Sequence, residues 1–246
     1  HRAMDLVGNI YKTLEKIDRK YGFGGRLIEA DGKAVHYDSD GNVVGRTTDA
    51  LAVHEYSWNS LGQLTAIKAS TPESCRFSYD ALNRRTERNH SSLPPIRAVW
   101  DNNTVVDESD ECHISSPKEC QVLARKVADQ FFAQIYSANG ILMGWSSEGS
   151  LELPAHQLSE LAMSKSGEST LFSGRPGHHH SHDSGIFYNR FRYFDPSLGR
   201  YLSQDPIGTF GGIDLYGYVR DPIRCHDILG LSEWINPFDL NFSQAY

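Results

Sequence analysis

An internal repeat constrains this chain more than any other feature. It reads as an aromatic residue, three positions, a glycine, one position and an apolar residue. Tyr21, Gly25 and Leu27 fit it, as do Tyr37, Gly41 and Val43, then Trp58, Gly62 and Leu64, then Tyr136, Gly140 and Leu142. Met4, Gly8 and Ile10 make a weaker first copy, and at Tyr79 Asn83 replaces the glycine and Arg85 the apolar residue. The first five copies follow at intervals of 17, 16, 21 and 21 residues, which is the signature of an array. In each copy an aromatic leads into a turn such as 38–42, where glycine takes positive φ without steric cost and asparagine is the next best residue. The apolar residue then opens the returning strand. Such a hairpin cannot bury its own face, so neighbours must stack into a winding sheet. The competing reading is an ordinary antiparallel domain with frequent tight turns.

A chain of 246 residues can form one large domain or two small ones. Its apolar fraction is 39%, low for packed helices, while Tyr, Phe and Gly are abundant, which suits short strands and turns. A net charge of −7 argues against nucleic acid as the main partner. The basic pairs Arg84-Arg85 and Arg190/Arg192 read as solvated or salt-bridged. No apolar run reaches membrane-spanning length and no secretory signal is recognisable. The first residue is His1, and the chain is read as a piece of something longer. Cys75, Cys112, Cys120 and Cys225 lack metal-like spacing; 112 and 120 could close a small loop, but buried thiols in a reducing compartment are the preferred reading.

One helix is expected near 118–135. Ser116 and Glu119 have capping-box spacing, Pro117 suits a first turn, Leu123, Val127, Phe131 and Ile135 recur every four residues, and Asn139-Gly140 ends the run. It could dock a partner, or lie over the sheet with its stripe buried. His178, His179, His180 and His182 could bind a transition metal, but Arg-Pro-Gly before and Asp-Ser-Gly after suggest a loop without the fixed second shell a metal site needs. The expectation is therefore no metal and no cofactor. No phosphate-cradling glycine loop, HExxH or GxSxG occurs.

Asp205 and Asp227 are the carboxylates that invite a chemical reading. Peptide cleavage without a metal or a nucleophilic Ser or Cys needs a base for water and an acid for the leaving amine. Two carboxyls close enough to share a proton supply both. The glycines and aromatics between them (Gly208, Gly211-Gly212, 215–219) can turn the chain back, and Arg192 could stabilise the oxyanion or hold one aspartate ionised. From the residues alone, Asp205-Pro206 and Asp227 are equally ordinary turn openers. Alternation along 188–195 as one strand would put Tyr188, Arg190, Arg192 and Phe194 on one face and Asn189, Phe191, Tyr193 and Asp195 on the other.

The run 188–208, YNRFRYFDPSLGRYLSQDPIG, with Asp227-Ile-Leu-Gly-Leu231 behind it, resembles the C-terminal boundary of the core of RHS-repeat proteins, bacterial relatives of the teneurins. The repeat copies resemble the YD repeats of those families. Tyr21-Gly-Phe-Gly-Gly-Arg-Leu27 looks like their YGxGGRL phrase, 99–108 like the tryptophan phrase after the last YD copies, and 112–119 like a degraded DHLGTPxE. Departures lie between 108 and 187, where one usual segment is nearly missing and 120–135 is inserted. The resemblance implies a mainly β fold, YD hairpins forming part of a spiralling shell. It also implies self-cleavage carried by Arg192, Asp205 and Asp227, cutting after the Leu of the terminal motif, here Leu231–Ser232: an aspartic-type peptidase acting only in cis. The proline of that motif is Ile228 here, which implies slower or less complete cleavage.

The expected organisation is YD repeats over 1–107, a degenerate segment with the helical insertion and His-rich loop over 108–185, the core boundary with the cleavage motif over 186–231, and a variable tail from 232 to 246. Fifteen tail residues cannot form a toxin domain. The implied partners are a C-terminal toxin in cis, secretion-apparatus proteins of the type VI kind and an immunity protein, with neither nucleic acid nor membrane. The implied location is the bacterial cytoplasm before export, then delivery into target cells. Two other classes stay open: a purely structural shell piece with a dead site, and a cell-surface adhesion module.

Overall fold

A computed structural model describes residues 3–5, 8–47, 53–68, 74–108, 111–116, 121–127, 130–136, 142–147, 150–152, 179–181, 185–219, 225–231 and 234–235. Most of them belong to one 15-stranded antiparallel meander, which runs in strict sequence order from strand Arg19–Tyr21 to strand Ser150–Glu152. A smaller four-stranded sheet is built from His179–Ser181, Ile186–Asn189, Arg192–Asp195 and Arg200–Tyr201.

Four repeat turns share one geometry, and the turn of the Tyr136 copy lies outside the described residues. The Asp38 amide donates to the Asn42 carbonyl at 3.0 Å, Asp38 Oδ1 accepts the Asn42 amide at 2.8 Å, and Gly41 sits at φ 86°. Asn59 does the same to Gln63 around Gly62 (φ 71°), and Asp80 to Arg84. There Asn83 takes the glycine's place at φ 63°. The weak first copy is also real: Asp5 caps Asn9 around Gly8 at φ 91°.

A second regularity explains why the aromatic is Tyr or Trp and never Phe. Tyr21, Tyr37, Trp58 and Tyr79 each donate to the carbonyl of the apolar position one repeat earlier. Tyr21 reaches Ile10 O at 2.5 Å, Tyr37 reaches Leu27 O at 3.2 Å, Trp58 Nε1 reaches Val43 O at 2.7 Å and Tyr79 reaches Leu64 O at 2.7 Å. Trp100 Nε1 continues the ladder to Arg85 O at 2.8 Å. The rings cover the sheet while their polar tips satisfy main-chain acceptors that would otherwise be buried unpaired.

Two expectations are corrected. Among the described residues no helix forms near 118–135: Gln121–Val127 and Gln130–Tyr136 are antiparallel strands, with Val127 opposite Gln130. A four-residue spacing is even, so it also keeps residues on one face of a strand and does not single out a helix. The change of strand between Val127 and Gln130 then splits the stripe. Leu123 lies on one face and Phe131 and Ile135 on the other, and all three are exposed rather than buried. The second correction concerns 188–195, which is two strands and a two-residue turn, with Asn189 opposite Arg192. Arg190 enters the left-handed region at φ 47°, a turn made without glycine and so invisible to turn chemistry. Arg192 therefore shares a face with Asn189, Phe187 and Phe194, while Tyr188 and Tyr193 face the other way. The run His179–Ser181, expected as loop, is a strand paired with Ile186–Tyr188, while His178 and His182 lie outside the described residues. Cys75 and Cys225 are buried, and Cys120 lies outside the described residues.

The small sheet presents Ile186, Tyr188 and Tyr193, and the residues flanking its last strand add Leu198 and Leu202, to the array's inner residues Leu27, Val43, Tyr56, Leu64 and Phe77, forming the main core. Tyr79→Phe should cost about 1–3 kcal/mol in chemical denaturation, because the Leu64 carbonyl loses its donor. Gly62→Ala should cost about 1–2 kcal/mol from backbone strain alone. Gly41→Ala should cost more, since its Cβ would also strike Gln204 and the Tyr216 hydroxyl.

Candidate active site

The hairpin turn 189–192 holds the segment 227–231. Asn189 Nδ2 donates to the Asp227 carbonyl at 2.8 Å, the Phe191 amide to the Leu229 carbonyl at 3.0 Å, and Arg192 Nε to the Gly230 carbonyl. Gly230 has φ 72°, and a Cβ there would strike the Asn189 carbonyl oxygen at 2.6 Å. Only glycine lets the segment lie this close to the turn.

On this frame the three residues singled out from the sequence come together. Arg192 Nη2 lies 2.9 Å from Asp205 Oδ2 and 3.0 Å from Asp227 Oδ2, and Nη1 donates to the Leu215 carbonyl at 3.2 Å. All three side chains are nearly fully buried. Arg192 arrives on strand Arg192–Asp195, Asp227 directly follows strand Cys225–His226, and Asp205 opens the turn 205–208. Asp205 both opens a turn and faces Arg192. Its Oδ1 accepts the Ile207 amide at 3.0 Å while Oδ2 faces Arg192.

Asp227 accepts from three directions: Arg192, the Tyr201 hydroxyl at 2.9 Å, and the Leu231 amide at 2.9 Å on Oδ1. Burial raises the pKa of Asp205 above the usual carboxylate value; Arg192 and the Ile207 amide oppose that shift, and Asp227 adds to it. Burial also pushes the Tyr201 phenol well up, with Asp227 reinforcing it, so Tyr201 is a donor.

Four residues of this cluster escape sequence reasoning. Tyr201 stacks under the guanidinium, 3.8 Å from ring centroid to Cζ, and Asn189 bonds both Tyr201, at 3.1 Å, and the Asp227 carbonyl. A Cβ on Gly211 would collide with both Asp205 Oδ2 and the Leu231 carbonyl oxygen, so these two oxygens crowd against the same glycine. Gly230 is the fourth. The glycines were visible as turn residues, but nothing local signals that they leave room for a carboxylate or a strand. Ile228 is buried, and its neighbours are fixed by Asn189 and Phe191. Ser232 lies outside the described residues.

Residues 4–104 match the family described as Teneurin YD-shell. The chain is 28% identical over 240 residues to "Probable deoxyribonuclease RhsA" of Dickeya dadantii, covering 88% of this chain and 16% of that protein. It is 25% identical over 284 residues to "Double-stranded DNA deaminase toxin A" of Burkholderia cenocepacia, covering 99% of this chain and 19% of that one. Among solved structures, one of the Photorhabdus luminescens Tc holotoxin pore superposes with a TM-score of 0.50 at 16% identity, over 96% of this chain and 17% of that chain, a likeness of fold alone. The chain thus spans less than a fifth of the length of these proteins. The repeat turns around Gly8, Gly41, Gly62 and Asn83 and the aromatic ladder from Tyr21 to Trp100 all fall within residues 4–104, so this stretch is similar to a Teneurin YD-shell.

Proposed function

We propose that this segment closes the C-terminal end of a shell around a toxin and frees that toxin by cutting its own chain after Leu231. One observation carries the reading: a single guanidinium nitrogen bonds both Asp205 and Asp227, while Asp227 holds the amide of Leu231 and Asp205 lies beside the Leu231 carbonyl. Asp205, with its raised pKa, is the acid: its proton goes to the Leu231 carbonyl oxygen as water adds to the carbonyl carbon. Asp227 takes the proton of that water. The C–N bond then breaks as Asp227 passes its proton to the Ser232 nitrogen, and the diol returns one to Asp205, leaving a carboxylic acid and a free amine. Arg192 fixes both carboxyls and the Gly230 carbonyl. Holding the reacting groups in one chain removes the entropy cost of bringing them together.

The toxin partner, its immunity protein, the secretion apparatus and delivery into another cell belong to the same proposal. Their support is the toxin names of the relatives. A structural shell piece with a dead site is the rival, and Ile228 in place of proline favours it.

Intact-mass measurement of the 246-residue chain should reveal loss of 232–246. Asp205→Asn and Asp227→Asn should each slow this at least about a hundredfold, the scale of a lost acid or base. Intact wild-type chain, unchanged by Ile228→Pro, would favour the rival. Tyr201→Phe should slow cleavage about tenfold or more by removing one charge-assisted bond from Asp227. Because Asp205 must carry its proton, the rate should fall as pH rises through a pKa above the usual carboxylate value. A rate that climbs with pH across that range would reverse the roles assigned to the two aspartates.

A further inference from the structure

The scissile bond is anchored on both sides. Upstream, 227–231 is tied to the 189–192 turn by the Asn189, Phe191 and Arg192 bonds. Downstream, strand Trp234–Ile235 pairs antiparallel with strand Cys225–His226, Cys225 opposite Ile235 and His226 opposite Trp234. Cys225 and His226 are buried in the shell segment. Trp234 and Ile235 lie beyond the proposed cut. The pairing therefore closes a loop in sequence, 227–233, whose first residue is the site's own Asp227 and whose interior contains Leu231–Ser232.

Resting on the cleavage reading above, we infer that strand Cys225–His226 is a main-chain clamp for the first residues of the cargo, positioning the scissile bond from its far side. Strand pairing reads peptide N–H and C=O groups, which every residue but proline offers in full. The clamp thus sets register while leaving the cargo's side chains free to differ. Two antiparallel residue pairs contribute one hydrogen-bonded and one non-hydrogen-bonded pair. That suffices to orient a loop already tethered at both ends. After the cut, one tether is gone and so short a ladder no longer holds its partner. The same contact therefore positions the bond before cleavage and lets the product leave afterwards.

The test has two arms. In the uncleavable Asp205→Asn chain, amide hydrogen exchange across the pairing of 225–226 with 234–235 should be slowed, and Trp234→Pro/Ile235→Pro should release it at 225–226. In the cleavable chain, the Trp234→Pro/Ile235→Pro double variant should slow loss of 232–246 about tenfold, the effect of a lost ladder bond and a misplaced loop. Alanine at either position should cost less than about threefold. Ser243→Pro, outside the clamp, should leave the rate unchanged. Unprotected amides in the first arm, or alanine slowing cleavage as much as proline, would overturn the clamp. A wild-type chain that cleaves at a rate indifferent to proline would overturn the clamp and leave self-cleavage standing. Protected amides in a wild-type chain that never cleaves would do the reverse.

Discussion

Arg192 is the contact on which the C-terminal region depends. One buried guanidinium bonds two carboxylates, the Leu215 carbonyl and the Gly230 carbonyl, and stacks on Tyr201. These partners come from three stretches of chain with no regular ladder between them. Removing the cation would leave buried carboxylates without a counter-charge, a loss of about 3–5 kcal/mol in comparable settings. A lysine could not replace it, because an ammonium lacks the planar fork that reaches separate acceptors at once. Asp205's raised pKa follows from the same crowding: burial and the neighbouring Asp227 outweigh the help Arg192 gives.

The node can be rigid because its platform is keyed into the repeat array. Tyr216 donates to the Gly41 carbonyl at 2.7 Å and Gln204 to the Asp40 carbonyl at 3.2 Å, so the Tyr37 turn supports the stretch that carries Asp205. Arg46 pairs with Asp195 at 3.0 Å and bonds Ser197 at 3.0 Å. The Arg85 amide donates to the Tyr188 hydroxyl at 3.0 Å, and Arg190 donates to the carbonyls of Asn83 and Leu82, each at 2.6 Å. Repeat turns thus serve twice, closing their own hairpins and docking the site's scaffold. Substitution of a distant turn residue such as Gly41 would reach the site through Gln204 and Tyr216.

The β architecture was legible because the repeat offset encodes a turn with a required positive φ, and even the Asn83 exception follows from that rule. The cluster of Arg192, Asp205 and Asp227 was legible through resemblance, since on residues alone Asp205 is a turn opener, which it also is. The strands at 121–136 were misread because an even apolar spacing serves helix and strand alike. The 189–192 turn was missed because Arg190 adopts positive φ without being Gly, Asn or Asp. What Tyr201, Asn189, Gly211 and Gly230 contact in the cluster could not be found by local rules. Their roles arise from close approach between segments distant in sequence.

The most direct test of a preassembled, self-cutting site is the order of the reaction. Appearance of the 1–231 mass should be followed over a hundredfold range of protein concentration, with a chelator and with serine and cysteine reagents. The proposed cleavage should give one first-order rate constant throughout, because the proposed acid, base and bond share a chain. A rate constant that rises with concentration, or that disappears with any of those reagents, would contradict cleavage by the Arg192-bridged aspartates.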